Sequence, residues 1–162
     1  MSYVKYISFP RKLDISYATT EEVHVGFSGI EIATFDGCFK NPFVYELYVA
    51  SHPARYYHIM NIDENLSEDK RRQEVERIWS AEMAWQQKNQ YDIFYKNLNI
   101  GEFVELYTAW LNGNDYSFGP PLSEHSMTLE DFLVMQAPKY GAKRHEHELT
   151  KYGRKLTIHK TK

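Results

Sequence analysis

The sequence predicts an α+β domain, with an antiparallel sheet from the N-terminal half packed against three or so helices and a candidate strand at the C-terminal end. Three observations carry this. Apolar residues alternate at period two through roughly the first sixty residues, and the spacing becomes helical after residue 66. Hydrophobic residues make up 43% of the 162-residue chain and aromatics 15%, enough to build a packed core and too many for a disordered segment.

Residues 3–9 (YVKYISF) alternate loosely, whereas 22–27 (EVHVGF) and 29–35 (GIEIATF) alternate as half-buried strands do. Ser28-Gly29 between the latter two marks a tight turn or a bulge. Asp36-Gly37 is the stronger turn, because both residue types tolerate positive φ. Residues 43–50 (FVYELYVA) and 55–62 (RYYHIMNI) complete four or five strands, separated by His52-Pro53, whose proline cannot donate to a ladder. Short connections of this kind favour an antiparallel meander.

Ser67 is placed to cap a helix that opens on Glu68 and Asp69, acids that suit the positive end of the macrodipole. Val75, Ile78, Trp79 and Met83 follow on one helical stripe, and residues 91–98 (YDIFYKNL) read as helical too. Residues 99–113 (NIGEFVELYTAWLNG) predict a second helix: Asn99 and Glu102 match a capping box, Phe103, Leu106, Tyr107, Trp110 and Leu111 share a stripe, and Gly113 sits where a helix ends. Thr128 and Asp131 predict the cap of a third, short helix running to Gln136 and stopped by Pro138. Residues 112–126 (NGNDYSFGPPLSEHS) read as a loop exposing Tyr116 and Phe118, and 155–159 (KLTIH) as the last strand. Periodicity places Tyr45, Tyr48, Trp79 and Trp110 in the core. No repeat or linker divides the chain, so residues 1–162 read as a single domain with a basic C-terminal segment, 139–162.

The formal charge of −3 conceals an asymmetry. Residues 1–138 hold 11 basic and 20 acidic residues, net −9, while 139–162 hold 8 basic and 2 acidic, net +6. An acidic body repels nucleic acid over most of its surface and attracts a basic protein. The lone cysteine, Cys38, excludes an internal disulfide and suits a reducing compartment. The first residues lack an apolar leader, and no stretch approaches the ~18 apolar residues of a membrane span, so the chain reads as cytoplasmic, with no membrane partner.

His145 and His147 could share one face of a strand and bind zinc, but Lys143 and Arg144 would repel the cation, and two solvated histidines are expected instead of a metal site. Lys and Arg interleaved with Tyr140 and Tyr152 would suit a nucleic-acid accessory protein using the C-terminal arm, although no nucleic-acid-binding motif accompanies them. Cys38 has His24, His52 and His58 in neighbouring segments, and no spacing selects one of them as a base. GxSxG, GxGxxG and EF-hand patterns are missing, so the chain is not expected to be an enzyme or to hold a cofactor. Asp63, Glu64, Glu68 and Asp69, with Tyr116 and Phe118 in the Pro/Gly-rich loop, form the expected partner-binding set. The acids supply negative potential, and the aromatics supply contact area at low entropy cost.

In size, acidic charge, single-domain α+β make-up and lack of an active-site motif, the chain resembles the immunity proteins of bacterial contact-dependent growth inhibition and related polymorphic toxin systems. The resemblance implies a cytoplasmic inhibitor that binds a cognate toxin domain, often a basic nuclease, and covers its active site.

Overall fold

The computed structural model describes residues 2–14, 23–27, 37–49, 61–111, 121–135 and 153–162. Among these are six strands and two helices. The strands are β1 (Ser2–Phe9), β2 (Val23–Phe27), β3 (Phe43–Val49), β4 (Phe103–Leu111), β5 (Ser123–Thr128) and β6 (Arg154–His159). The helices are α1 (Glu68–Asn97) and α2 (Leu129–Val134). All six strands join one sheet in the order β2-β3-β1-β4-β6-β5.

The α+β class stands, but the sheet is not an N-terminal unit. Half its strands follow α1, and β5 runs parallel to β6, so the sheet is mixed. Nor is it a simple meander: β1 lies between β3 and β4, and its pairing with β4 spans the length of α1.

The largest correction concerns residues 99–113, expected as a helix. Residues 103–111 are β4, paired on both sides with β1 and β6. Val104 and Leu106 face the helices, while Glu105 and Tyr107 face the other side, and all four are buried. A strand covered on both faces loses the alternation that betrays a half-buried one, and the remaining apolar positions then imitate a helical stripe. Its Phe, Val, Tyr, Thr and Trp suit a pleated surface. The Asn99–Glu102 pattern does form a local bond, with Asn99 N–H donating to Glu102 Oε2 at 2.7 Å, but within a turn through Gly101 at φ +87°.

Helix α1 runs unbroken for 30 residues, joining the expected helix after Ser67 to residues 91–98. The intervening AWQQKNQ contains neither Gly nor Pro, and Gln and Asn side chains bond one turn back, as Asn89 does to the Trp85 carbonyl at 3.0 Å. Ser67 occupies the cap position without making a side-chain cap bond. Thr128 caps α2 as expected: Asp131 N–H donates to Thr128 Oγ1 at 3.0 Å, and Asp131 receives the Thr128 N–H in return. Residues 123–126, read as loop, belong to β5. The candidate last strand is present as β6, inserted between β4 and β5. Residues 29–35, Pro138 and most of 55–62 lie outside the described residues, and Asn61 and Ile62 are not in a strand.

The main core fills the space between the sheet and the helices. Ile7, Phe9, Tyr45, Val104, Leu106, Leu156 and Ile158 meet Ile93, Phe94 and Leu98 from the end of α1, and Leu129 and Phe132 from α2. Phe94 packs edge-on against Phe9, with ring centroids 6.5 Å apart, and tilted against Phe132 at 5.5 Å. Two of the expected core aromatics are placed otherwise. Tyr48 is 60% exposed, because it sits one register step from Leu47 and so points to the opposite face. Trp79 is half-buried, and its neighbour Ile78 is the buried member of the stripe.

Chain ends are tied in by specific bonds. Lys160 Nζ donates to the carbonyls of Tyr95 (2.7 Å) and Leu98 (2.9 Å), satisfying orphan acceptors at the carboxyl end of α1, and lies 3.8 Å from the Tyr95 ring centroid. Gly153 turns the chain into β6 at φ +71°, donating to Thr108 O at 2.8 Å and accepting from Leu122 N at 2.7 Å.

Two outcomes follow. Phe94→Ala should cost about 3–5 kcal/mol in urea unfolding, typical of an aromatic removed from a packed interior. Gly153→Ala places a Cβ at positive φ and within 2.8 Å of the Leu122 side chain, so it should cost about 1–2 kcal/mol. An unchanged midpoint would show that the turn adapts freely.

Candidate functional site

Two polar constellations stand out, one buried and one exposed. The buried one occupies the sheet face away from the helices. It is centred on Glu105, the third residue of β4, whose side chain is fully buried. Glu105 Oε2 accepts from Ser8 Oγ at 2.9 Å, Lys40 N at 2.7 Å and Asn41 N at 3.0 Å. Glu105 Oε1 lies 3.2 Å from Lys155 Nζ, close enough for an ion pair although not aligned as a hydrogen bond. Lys155 Nζ also donates to the Cys38 carbonyl at 3.0 Å and lies 3.3 Å from Glu124 Oε1.

Strand alternation builds this site. Ser8, Glu105, Lys155 and Glu124 come from β1, β4, β6 and β5, and the registers turn all four to one face. Beside them Tyr6, Cys38, Val44 and Tyr107 form a second, small apolar cluster, with Phe39 edge-on to Tyr107 at 6.1 Å. Burial raises the Tyr107 phenol above its ordinary value, and proximity to Cys38 raises it further. Chemically, the arrangement is an electrostatic clamp in which Lys155 is shared between two carboxylates. Each charge has an opposite partner, as buried charges require, and the carboxylate collects the donors of an otherwise open segment.

None of this cluster was singled out as a site in the sequence. Glu105 lay inside a segment read as a helix, and Lys155 opened the expected last strand within the basic C-terminal segment.

The exposed constellation contains the expected acids. Asp63, Glu64, Glu68 and Asp69 are all exposed, and the turn before α1 and the first turn of α1 bring them together. Asp63 Oδ1 holds that turn by accepting from Asn65 N and Nδ2, both at 2.9 Å. Glu68 and Asp69 meet the positive end of the helix. Lys70, Arg71 and Arg72 follow at once and are exposed too, which confines the acidic field to the start of α1. Tyr116 and Phe118 lie outside the described residues, as do His145 and His147.

The basic C-terminal segment is partly absorbed by the fold. Of its described members, Arg154 and Lys155 are buried and Lys160 closes α1. Burial lowers the Arg154 guanidinium from its usual value. Among the described residues no group of three or more His, Cys, Asp or Glu is placed to hold a metal ion, and no helix is long and apolar enough to cross a membrane.

The class these features define is an α+β protein with a mixed sheet, a buried Glu105–Lys155 charge pair and an acidic helix start. Compared with family models, curated proteins and solved structures, the chain matches none.

Removing one member of the clamp leaves a buried charge, so Lys155→Met should destabilise by about 3–5 kcal/mol, while Glu105→Leu combined with Lys155→Met should recover much of that loss. Additive losses in a urea double-mutant cycle would show that the two charges do not interact. Tyr107 gives a pH signature. Its pKa is raised in the fold, so the native state holds its proton more tightly, and the associated stability is present below pH 10 and lost as pH rises through the folded value. Tyr107→Phe should therefore flatten the decline in stability above about pH 10 in alkaline unfolding curves.

Proposed function

We propose that this protein is an immunity-type inhibitor, acting in the bacterial cytoplasm, that binds a basic toxin domain and covers its active site. The observation that carries this reading is the joint exposure of Asp63, Glu64, Glu68 and Asp69 at the start of α1, on a body whose residues 1–138 carry net −9. Negative potential of this kind steers a basic partner and speeds encounter.

The fate of the C-terminal cations supports the same reading. Lys155 is neutralised internally by Glu105 and Glu124, and Lys160 is committed to the end of α1, so neither is spent on the acids at the start of that helix. The same commitments leave the end of the chain less able to serve as a nucleic-acid arm. Residence time in such a complex comes from apolar anchors, for which Tyr116 and Phe118 are the candidates.

Binding kinetics against a candidate toxin domain test this. Reversing charge at Glu68 and Asp69 together should slow association, and so should raising salt from 0.1 M to 1 M, which shortens the Debye length from about 10 Å to about 3 Å. Alanine at a true anchor should cost about 2 kcal/mol, mainly through dissociation. Salt-independent association with both aromatics dispensable would reject the surface assignment.

A further inference from the structure

Strand β5 ends the sheet order, and among the described residues it pairs with β6 alone. The pairing is parallel, and Ser123 N donates to Gly153 O at 3.3 Å. Alternate residues of a parallel strand turn their N–H and C=O toward the partner strand, so 123, 125 and 127 serve β6 while 124, 126 and 128 turn theirs outward. The outward Thr128 N–H is taken by the cap of α2, donating to Asp131 Oδ2 at 3.3 Å. The backbone groups of Glu124 and Ser126 have no hydrogen-bond partner among the described residues, and Glu124, His125 and Ser126 are all exposed. Open edges are usually blunted by lysine, proline or a bulge, yet the strand SEHSMT has neither residue and keeps an unbroken register. Its one acid, Glu124, has a 51% exposed side chain 3.3 Å from Lys155, which is already paired with Glu105. Two carboxylates share one ammonium there, which leaves Glu124 with capacity for a second cation.

We propose that β5 is a docking edge for an extended cationic segment of a protein partner, which pairs with the Glu124 and Ser126 backbone groups and sets a Lys or Arg against the Glu124 carboxylate. In strand addition of this kind, main-chain bonds supply affinity and the alternate side chains supply selection. Charge decides against a second copy of this chain as the occupant. Pairing β5 antiparallel with itself about His125 would put both Glu124 carboxylates on one face as diagonal neighbours, roughly 7–8 Å apart, where like charges repel. A cationic strand meets the same carboxylate with the opposite sign. The inference rests on the reading above for the basic character of the partner, and it adds the place and the conformation in which that partner is held.

Amide exchange with water, measured residue by residue on the intact chain by NMR, tests this with an acetylated and amidated Thr-Val-Lys-Val-Thr peptide as the probe. In the free protein the Glu124 and Ser126 N–H groups should exchange fast and the His125 N–H slowly. The peptide in millimolar excess should slow exchange at Glu124 and Ser126 about threefold or more, and the same peptide with Glu in place of Lys should slow it far less. Ser126→Pro removes an outward donor and no bond to β6, so it should abolish the effect. Should that variant fail to fold, Glu124→Gln decides: Lys155 keeps Glu105, and the preference for the Lys peptide should disappear. Slow exchange at Glu124 and Ser126 without peptide would overturn the proposal, and slowing that grows with protein concentration would assign the edge to a second copy instead. No slowing by either peptide, or equal slowing by both, would overturn it too. Because no toxin domain enters the assay, the docking edge can fail while the inhibitor reading stands, and a toxin that ignores the acids of α1 leaves the peptide result untouched.

Discussion

A carboxylate without solvent is the constraint around which this molecule is organised. Glu105 sits in β4, a strand paired on both sides, with no exposed surface, and an unpaired charge there would cost several kcal/mol. Its partners come from every direction: Ser8 from β1, backbone N–H groups from residues 40 and 41, and Lys155 from β6. Through Lys155 the same charge reaches Glu124 on β5. One side chain thus links four strands and a connecting segment.

That dependence bears on the topology. Lys155 faces Glu105 only because β6 pairs with β4 in the register Tyr107↔Lys155 and Glu105↔Thr157. A slip of one residue would turn Lys155 toward the helices and leave Leu156 and Ile158 on the wrong face. The charge pair and the hydrophobic pattern therefore demand the same register, and their agreement explains how the last strand is admitted to the interior of the sheet. The opposite face is held by apolar packing, with Lys160 and the Gln87 side chain tying the helix ends. Lys160 bonds the final carbonyls of α1, and Gln87 Nε2 donates to the carbonyls of Phe132 and Met135 at the end of α2.

Of the described C-terminal cations, Arg154 and Lys155 are buried, Lys160 closes α1 and Lys162 is exposed, while the acids at the start of α1 remain outside. The acids at the start of α1 place negative charge at the surface, and in the buried cluster Lys155 is shared between Glu105 and Glu124.

Much was legible in the sequence wherever one signal dominated. Alternation, loose in residues 3–9 and clear in 22–27, marked β1 and β2, the apolar run 43–50 marked β3, the Thr128–Asp131 box marked the start of α2, and the KLTIH stretch marked β6. The exposed acids could be named because a solvated helix start needs no tertiary partner to be recognised. Strand β4 and the clamp could not be read in this way. When both faces of a strand are covered, the period-two signal is erased, and the Asn99–Glu102 pattern that suggested a helix cap serves a turn equally well. A lysine in a basic run looks solvated until a strand carries it under a loop. The sequence by itself therefore determined the local propensities, the caps and the charge at the start of α1. Only the tertiary structure decided that residues 103–111 are a central strand and that Glu105 and Lys155 are internal. Both outcomes depend on partners about 50 to 100 positions away in the chain, whose arrival no local pattern encodes.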